Sequence, residues 1–403
     1  MGGGNRIKHM VLGALALGWP SIAAAQALPQ RVQTPVEAYA QDAAEYAARY
    51  AVPQEEAVRR LRAQEESVAA TDRIREEFAA RLAGISVDHQ PGFRISVLLT
   101  GDEPVPARTI FAGGVAVPVV FRTGARATRD QVIAALRANQ AALRAMLPAP
   151  PGLGLDERTG KLVVTMSSSA VARMGSDLLP RLEAQTGVPV RVRLVDRDGD
   201  AMVEGGSRVE GVDPACGRRH ACTSGFVVTD GARTGVATAA HCPDSLSYVD
   251  PERGTVPLDF VGQWGWGYRD VQIHLADETL KPFFYADAGK IAVRPVTSWR
   301  NRASTRAGDV VCHRGESTGY SCAEVELTEF APPGDLCGGP CEPLWTTVAG
   351  PSCRGGDSGA PVFNGTVAFG LLKGGSYRAD GTCNYYFYMS TDYLPDGWRL
   401  LHQ

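Results

Sequence analysis

Two short segments hold residues whose types and spacing can do chemistry: Thr238-Ala239-Ala240-His241-Cys242 and Gly355-Gly356-Asp357-Ser358-Gly359-Ala360-Pro361. A serine hydroxyl is a weak nucleophile until a neighbouring base takes its proton. Histidine suits that task because its charge changes near neutral pH. The base in turn needs a carboxylate that fixes its tautomer and stabilises the imidazolium. Four aspartates between the segments are candidates: Asp250, Asp259, Asp270 and Asp277. The glycines around Ser358 allow a sharp turn. They leave the Gly356 and Ser358 N–H groups free to face a developing oxyanion, each donor worth about 3–4 kcal/mol. The implied chemistry is acyl transfer. A serine esterase of the G-x-S-x-G type would place its histidine last on an α/β sheet, whereas here the histidine comes first.

The elements that must position these residues change character near residue 200. Before it the chain is helix-rich and holds none of the nine cysteines. Ala/Glu/Arg-rich stretches predict helices over 36–50 and 54–83, with Pro53 between them. Strands are expected over 94–99, 115–121, 161–166 and 188–195, helices over 128–146 and 171–186, and a Pro/Gly loop over 148–154. This is an α+β pattern. After it come short strands bounded by turn residues, expected at 225–229, 236–240, 271–275, 310–313, 362–363, 367–372 and 385–389. That is the pattern of a sandwich or barrel. The boundary falls between Asp198 and Val212.

Arg6 and Lys8, the apolar run from Met10 to Trp19 and the small residues Ala23, Ala25 and Ala27 read as a secretory signal over 1–27. The apolar run is too short for a membrane span, which needs about 20 residues. An exported chain meets an oxidising compartment, where disulfides are the default for cysteines. A net charge of -3 and the absence of a basic stripe exclude a nucleic-acid footprint. No metal or cofactor motif stands out, and none is expected.

Together, in this order, the His241 and Ser358 segments make residues 200–403 resemble the chymotrypsin-like serine peptidases, above all the bacterial streptogrisin and alpha-lytic endopeptidase type. The resemblance implies an all-β double β-barrel over 201–403, with His241 as base and Ser358 as nucleophile. Asp270 is the preferred acid, because it opens a strand-like run as the family's aspartate does. It implies disulfides Cys222–Cys242, Cys312–Cys322 and Cys353–Cys383, with Cys337–Cys341 as an added local bridge and Cys216 left over. Residues 28–200 resemble the family's pro region, which templates folding, inhibits the peptidase and is cut away, here near Asp200 or Ala201. The partners are then protein or peptide substrates and the chain's own pro region, and the mature enzyme is expected to be a monomer. The competing readings are a retained binding domain in the first half, and a catalytically silent binding module in the second.

The sequence also departs from the family. Gly370-Leu371-Leu372-Lys373-Gly374-Gly375 looks like the strand that binds substrate backbone, with Lys373 where the family has a serine that contacts the aspartate. A lysine cannot accept a hydrogen bond, and Lys373 is expected to point outward while Gly374 and Gly375 pair with substrate. Asp357, beside the nucleophile, is expected to take a cationic partner from His313 or Arg314, since the family has an arginine there. Pro351, Ser352 and Leu372 are expected pocket walls. They suggest a small or apolar residue before the scissile bond, while Arg354 and Lys373 leave a glutamyl preference as the alternative.

Overall fold

The computed structural model describes residues 1–2, 31–195, 207–212, 217–250, 254–265, 268–334, 336–337, 339–350, 352–378 and 380–403. The expected signal segment beyond residue 2, the 200/201 boundary, Cys216 and Pro351 lie outside the described residues. No helix among the described residues is long and apolar enough to cross a membrane.

In the first half, helix Pro35–Tyr50 starts at Thr34, whose hydroxyl accepts from the Glu37 N–H while Glu37 reaches back to the Thr34 N–H. This reciprocal pair satisfies two of the donors that a helix start leaves open. The helix expected over 54–83 is instead two helices, Gln54–Glu66 and Val68–Glu77. The break is at Ser67, and its cause is tertiary. Arg306 donates to the Gln64 carbonyl at 2.6 Å and to Ser67 and Thr71 Oγ at 2.9 and 3.2 Å. Strand Leu82–Asp88 then takes only the last two residues expected to be helical, Leu82 and Ala83, in a four-stranded sheet with Arg94–Thr100, Arg108–Ala112 and Val115–Ala125. Helix Arg129–Met146 has a second capping box, Thr128 with Gln131. The helix expected over 171–186 splits at Gly175 into Ser168–Met174 and Leu178–Thr186.

The loop expected over 148–154 is partly strand. Gly152–Asp156 pairs with Lys161–Ser167 on one side and, through Leu155↔Thr328 and Leu153↔Ala331, with strand Gly319–Ala331 of the second half on the other. One ten-stranded sheet therefore runs through both halves. The core is shared as well: Tyr46, Leu61 and Val163 pack in one cluster with Phe226, Phe330 and Trp345.

The second half is all β and includes a closed six-stranded barrel. In its first barrel, strands Val227–Thr229, Thr234–Thr238, Asp259–Trp264 and Val271–Leu275 share a sheet with the C-terminal Arg399–Leu400. Strands Val310–Gly315, Gly319–Ala331, Trp345–Ala349, Pro361–Asn364, Val367–Tyr377 and Cys383–Ser390 form the second. Cys222–Cys242, Cys312–Cys322, Cys337–Cys341 and Cys353–Cys383 are bonded. The fold is thus an α+β first half followed by a chymotrypsin-like double β-barrel.

Candidate active site

Register brings the base and the acid together. Thr234–Thr238 and Val271–Leu275 are antiparallel with Thr238 opposite Gln272. The chain leaving the first strand at His241 therefore meets the chain entering the second at Asp270. Gln272, fully buried, tightens that meeting. Its amide donates to the carbonyls of Ala239 and Cys242 at 2.9 and 3.1 Å, pinning the turn that carries the histidine. The Cys222–Cys242 bridge anchors the same turn. Gln272 was missed in the sequence. Its only signal is a polar residue alternating with apolar ones on a core strand.

Ser358 comes from the second barrel, in the loop before strand Pro361–Asn364, so the site lies between the barrels. His241 Nε2 is 2.8 Å from Ser358 Oγ, and His241 Nδ1 is 2.8 Å from Asp270 Oδ2. Asp270 Oδ1 also accepts the His241 backbone N–H at 3.1 Å, which fixes the ring's approach. Nδ1 bonded to the carboxylate leaves Nε2 to accept the serine proton, the arrangement a general base needs. Asp270 is 3% exposed and would be costly as an unpaired charge. Burial pushes its carboxyl up, but His241 and Lys373 beside it outweigh burial and hold it well below the usual carboxylate range. Among the competitors, Asp259 lies on the neighbouring strand Asp259–Trp264, opposite Leu275 at the far end of Val271–Leu275, Asp277 follows that end, and the side chain of Asp250 lies outside the described residues.

The turn at Ser358 needs its glycines. Gly356 has φ +119° and Gly359 has φ +87°, conformations that L side chains rarely adopt. A Cβ on Gly359 would also lie 2.2 Å from Thr238 Oγ and 2.3 Å from the Thr223 carbonyl oxygen. Among the described residues, the N–H groups of Gly356 and Ser358 donate to no backbone carbonyl.

Two expectations are corrected. Asp357 pairs with neither His313 nor Arg314. Its Oδ1 accepts the N–H groups of Ser317 and Thr318, each at 3.2 Å, and its Oδ2 accepts the Thr318 hydroxyl at 2.8 Å and the Arg354 N–H at 2.9 Å. Four donors satisfy a buried carboxylate without a cation. Arg314 turns to Glu316 and to the carbonyls of Asp287 and Ala288. His313 Nε2 lies 3.2 Å from Thr318 Oγ, its ring packs against Tyr386, and burial pushes its imidazole down.

Lys373 does not point outward. It is 4% exposed, and its Nζ is 2.9 Å from Asp270 Oδ2. Gly374 and Gly375 pair with Phe387 and Tyr386, and beyond Leu371 the opposite edge of the strand has no strand partner among the described residues. A Cβ on Gly375 would meet Cys353 Sγ at 2.7 Å, and one on Gly374 the Phe387 ring at 3.2 Å. Leu372 is buried, Ser352 partly exposed and Arg354 exposed.

No protein-family model matches the chain. In fold it is similar to several solved structures. Thermobifida fusca Protease A is 21% identical, with a TM-score of 0.39 over 50% of this chain and 99% of that one. A Nocardiopsis protease is 21% identical, with a TM-score of 0.38 over 49% of this chain and 98% of that one. A glutamic acid-specific serine protease is 22% identical, with a TM-score of 0.38 over 47% and 94%. Fold and site together place a serine, a histidine and an aspartate in hydrogen-bond sequence between two β-sheet units.

Proposed function

We propose that the protein is a secreted serine endopeptidase made as a self-processed precursor. One observation carries this reading: the unbroken chain Ser358–His241–Asp270, with both links at 2.8 Å. In the reaction, His241 Nε2 takes the Ser358 proton as Oγ attacks the scissile carbonyl. The Gly356 and Ser358 N–H groups receive the oxyanion. His241 then passes the proton to the leaving amine, and water repeats the sequence to release the acyl group. Extended substrate adds as a strand along Gly374 and Gly375, where backbone groups give affinity and side-chain pockets give selectivity.

Residues 28–200 act as folding helper and inhibitor, 1–27 as the export signal and 201–403 as the mature peptidase. The extensive joint supports this. Besides the shared sheet, Arg129 meets Glu329 at 2.6 Å, Arg158 meets Glu324 at 2.8 Å, and Gln64 bonds both the N–H and the carbonyl of Val310. A double barrel closes many non-local contacts, which slows folding, and a partner that holds strand Val310–Gly315 lowers that barrier.

The side chain before the scissile bond is small or apolar. The supporting observation is that the glycine strand is backed by the Phe387 ring and the Cys353–Cys383 bridge, while Lys373 is committed to Asp270. A glutamyl preference is the second reading, favoured by the exposed Arg354.

The test uses the full chain. A fluorophosphonate probe should label Ser358, and S358A should abolish the label. A peptide library cleaved by an unlabelled portion of the same preparation should favour Ala, Val or Leu over Glu before the scissile bond. A folded chain that never takes the probe would support the silent binding module instead.

A further inference from the structure

We infer that Lys373 is a positioning residue of the triad: its ammonium anchors the Asp270 carboxylate and opposes positive charge on His241, extending activity into acid. This inference rests on the serine peptidase reading above.

The geometry is built by the backbone. In the pairing of Val367–Tyr377 with Cys383–Ser390, Leu372 faces Tyr388 and Gly374 faces Phe387. Lys373 is thus the extra residue of a bulge, the device that re-aims a side chain within a sheet. Its stem runs inward, and Nζ ends 2.9 Å from Asp270 Oδ2 and 4.8 Å from the centroid of the fully buried Trp345 ring. A cation over the face of an aromatic ring gains electrostatic support, and the carboxylate supplies the counter-charge. The backbone of the same residue touches the other end of the triad, because the Lys373 carbonyl lies 3.2 Å from Ser358 Oγ.

The charges around the imidazole define the consequence. Asp270 faces it from the start of Val271–Leu275, and Lys373 stands behind Asp270 on the same oxygen. Asp357 lies beyond Ser358, held by its four donors. Arg269 is drawn off to Asp396 at 3.0 Å, and Asp244 is exposed against Gln263. A serine or other neutral group in place of Lys373 would leave the Asp270 charge undivided and favour the imidazolium. With Lys373 the Asp270–Lys373 pair is close to neutral, and the imidazolium loses much of that support. His241 Nδ1 and Lys373 Nζ share one oxygen, so they lie within about 6 Å of each other. At that separation and an effective dielectric of about 20 to 40, a unit charge shifts protonation by about 1 to 2 pH units.

The experiment measures second-order inactivation by the fluorophosphonate, and kcat/KM for a peptide substrate, across pH 4–9 in the wild type, K373Q, K373M and K373R. K373Q keeps a donor to Asp270 without the charge, K373M keeps the stem alone, and K373R keeps the charge. The acid limb should move up by about 1 to 2 pH units in K373Q and K373M and stay in place in K373R, with KM little changed. Limbs that coincide in wild type and K373Q would overturn the inference while leaving the peptidase reading intact. So would a folded K373Q that reacts at no pH, because the lysine would then be required for the chemistry itself. A wild type that never reacts strikes the peptidase reading instead.

Discussion

Asp42 and Arg294 form a charge pair between the two halves that is 0% exposed on both sides. Replacing Asp42 with Ala, in a chain that also carries S358A to prevent self-cleavage, tests how firmly the first half grips the second. Asp42 Oδ1 is 2.8 Å from an Arg294 nitrogen and accepts the Tyr320 hydroxyl at 2.6 Å. Its Oδ2 accepts the Gly365 N–H at 2.6 Å and an Arg294 N–H at 3.1 Å. Removing the carboxylate leaves a buried guanidinium with the Gln33 amide oxygen, the Gly365 carbonyl and the rings of Tyr320 and Phe363. None of these is a counter-charge. Breaking one side of such a pair costs about 3–5 kcal/mol, and the orphaned Gly365 N–H adds about 1–3 kcal/mol. Replacing both partners by apolar groups is often neutral or stabilising, so D42A/R294M should recover most of the loss. The assay is denaturant unfolding followed by tryptophan fluorescence, with the free energy read from the midpoint at unchanged slope. A D42A change below about 1 kcal/mol, or a double variant as weak as D42A, would refute the reasoning that a desolvated charge dominates this joint.

Two further predictions concern the barrels. D270N should lower kcat by about 10³–10⁴-fold, because the ring loses its tautomer and its counter-charge, and should also destabilise the fold by about 3–5 kcal/mol, because the buried Lys373 ammonium loses its counter-charge; steady-state kinetics on the peptide substrate and denaturant unfolding check it. His274 is fully buried in the first barrel, neither ring nitrogen has a hydrogen-bond partner among the described residues, and burial pushes it down to about 4. In the unfolded chain its pKa is about 6.5, so between those values the unfolded state binds a proton that the folded state refuses. Stability should therefore fall as pH drops from about 6.5 to 4, by up to about 3 kcal/mol from this residue. H274L should remove that part of the slope, and an unfolding series at pH 4, 5, 6 and 8 that shows a constant gap between wild type and H274L would exclude it.

The three residues that the structure brings together were legible because each sits in a short segment whose chemistry is local. Gly-Gly-Asp-Ser-Gly states its own turn, and Ala-Ala-His-Cys follows strand Thr234–Thr238 as a turn closed by a cysteine. Asp270 was legible because Val271–Leu275 alternates cleanly. Strand Gly152–Asp156 was partly hidden in the expected Pro/Gly loop: its pairing with Lys161–Ser167 is local, but its other edge is held by Thr328 and Ala331, far away in sequence. The break at Ser67 was hidden for the same reason, since Arg306 makes it from the other half.

The sequence alone determined which atoms can react: a hydroxyl, an imidazole and a carboxylate, in an order that fits one arrangement. Tertiary structure alone decided how charge is shared among them. A bulge turned Lys373 inward onto Asp270, and backbone N–H groups rather than His313 or Arg314 took Asp357. Both outcomes depend on where a strand slips by one residue and where a turn aims its N–H groups. Long-range packing sets those positions, and residue type does not encode them.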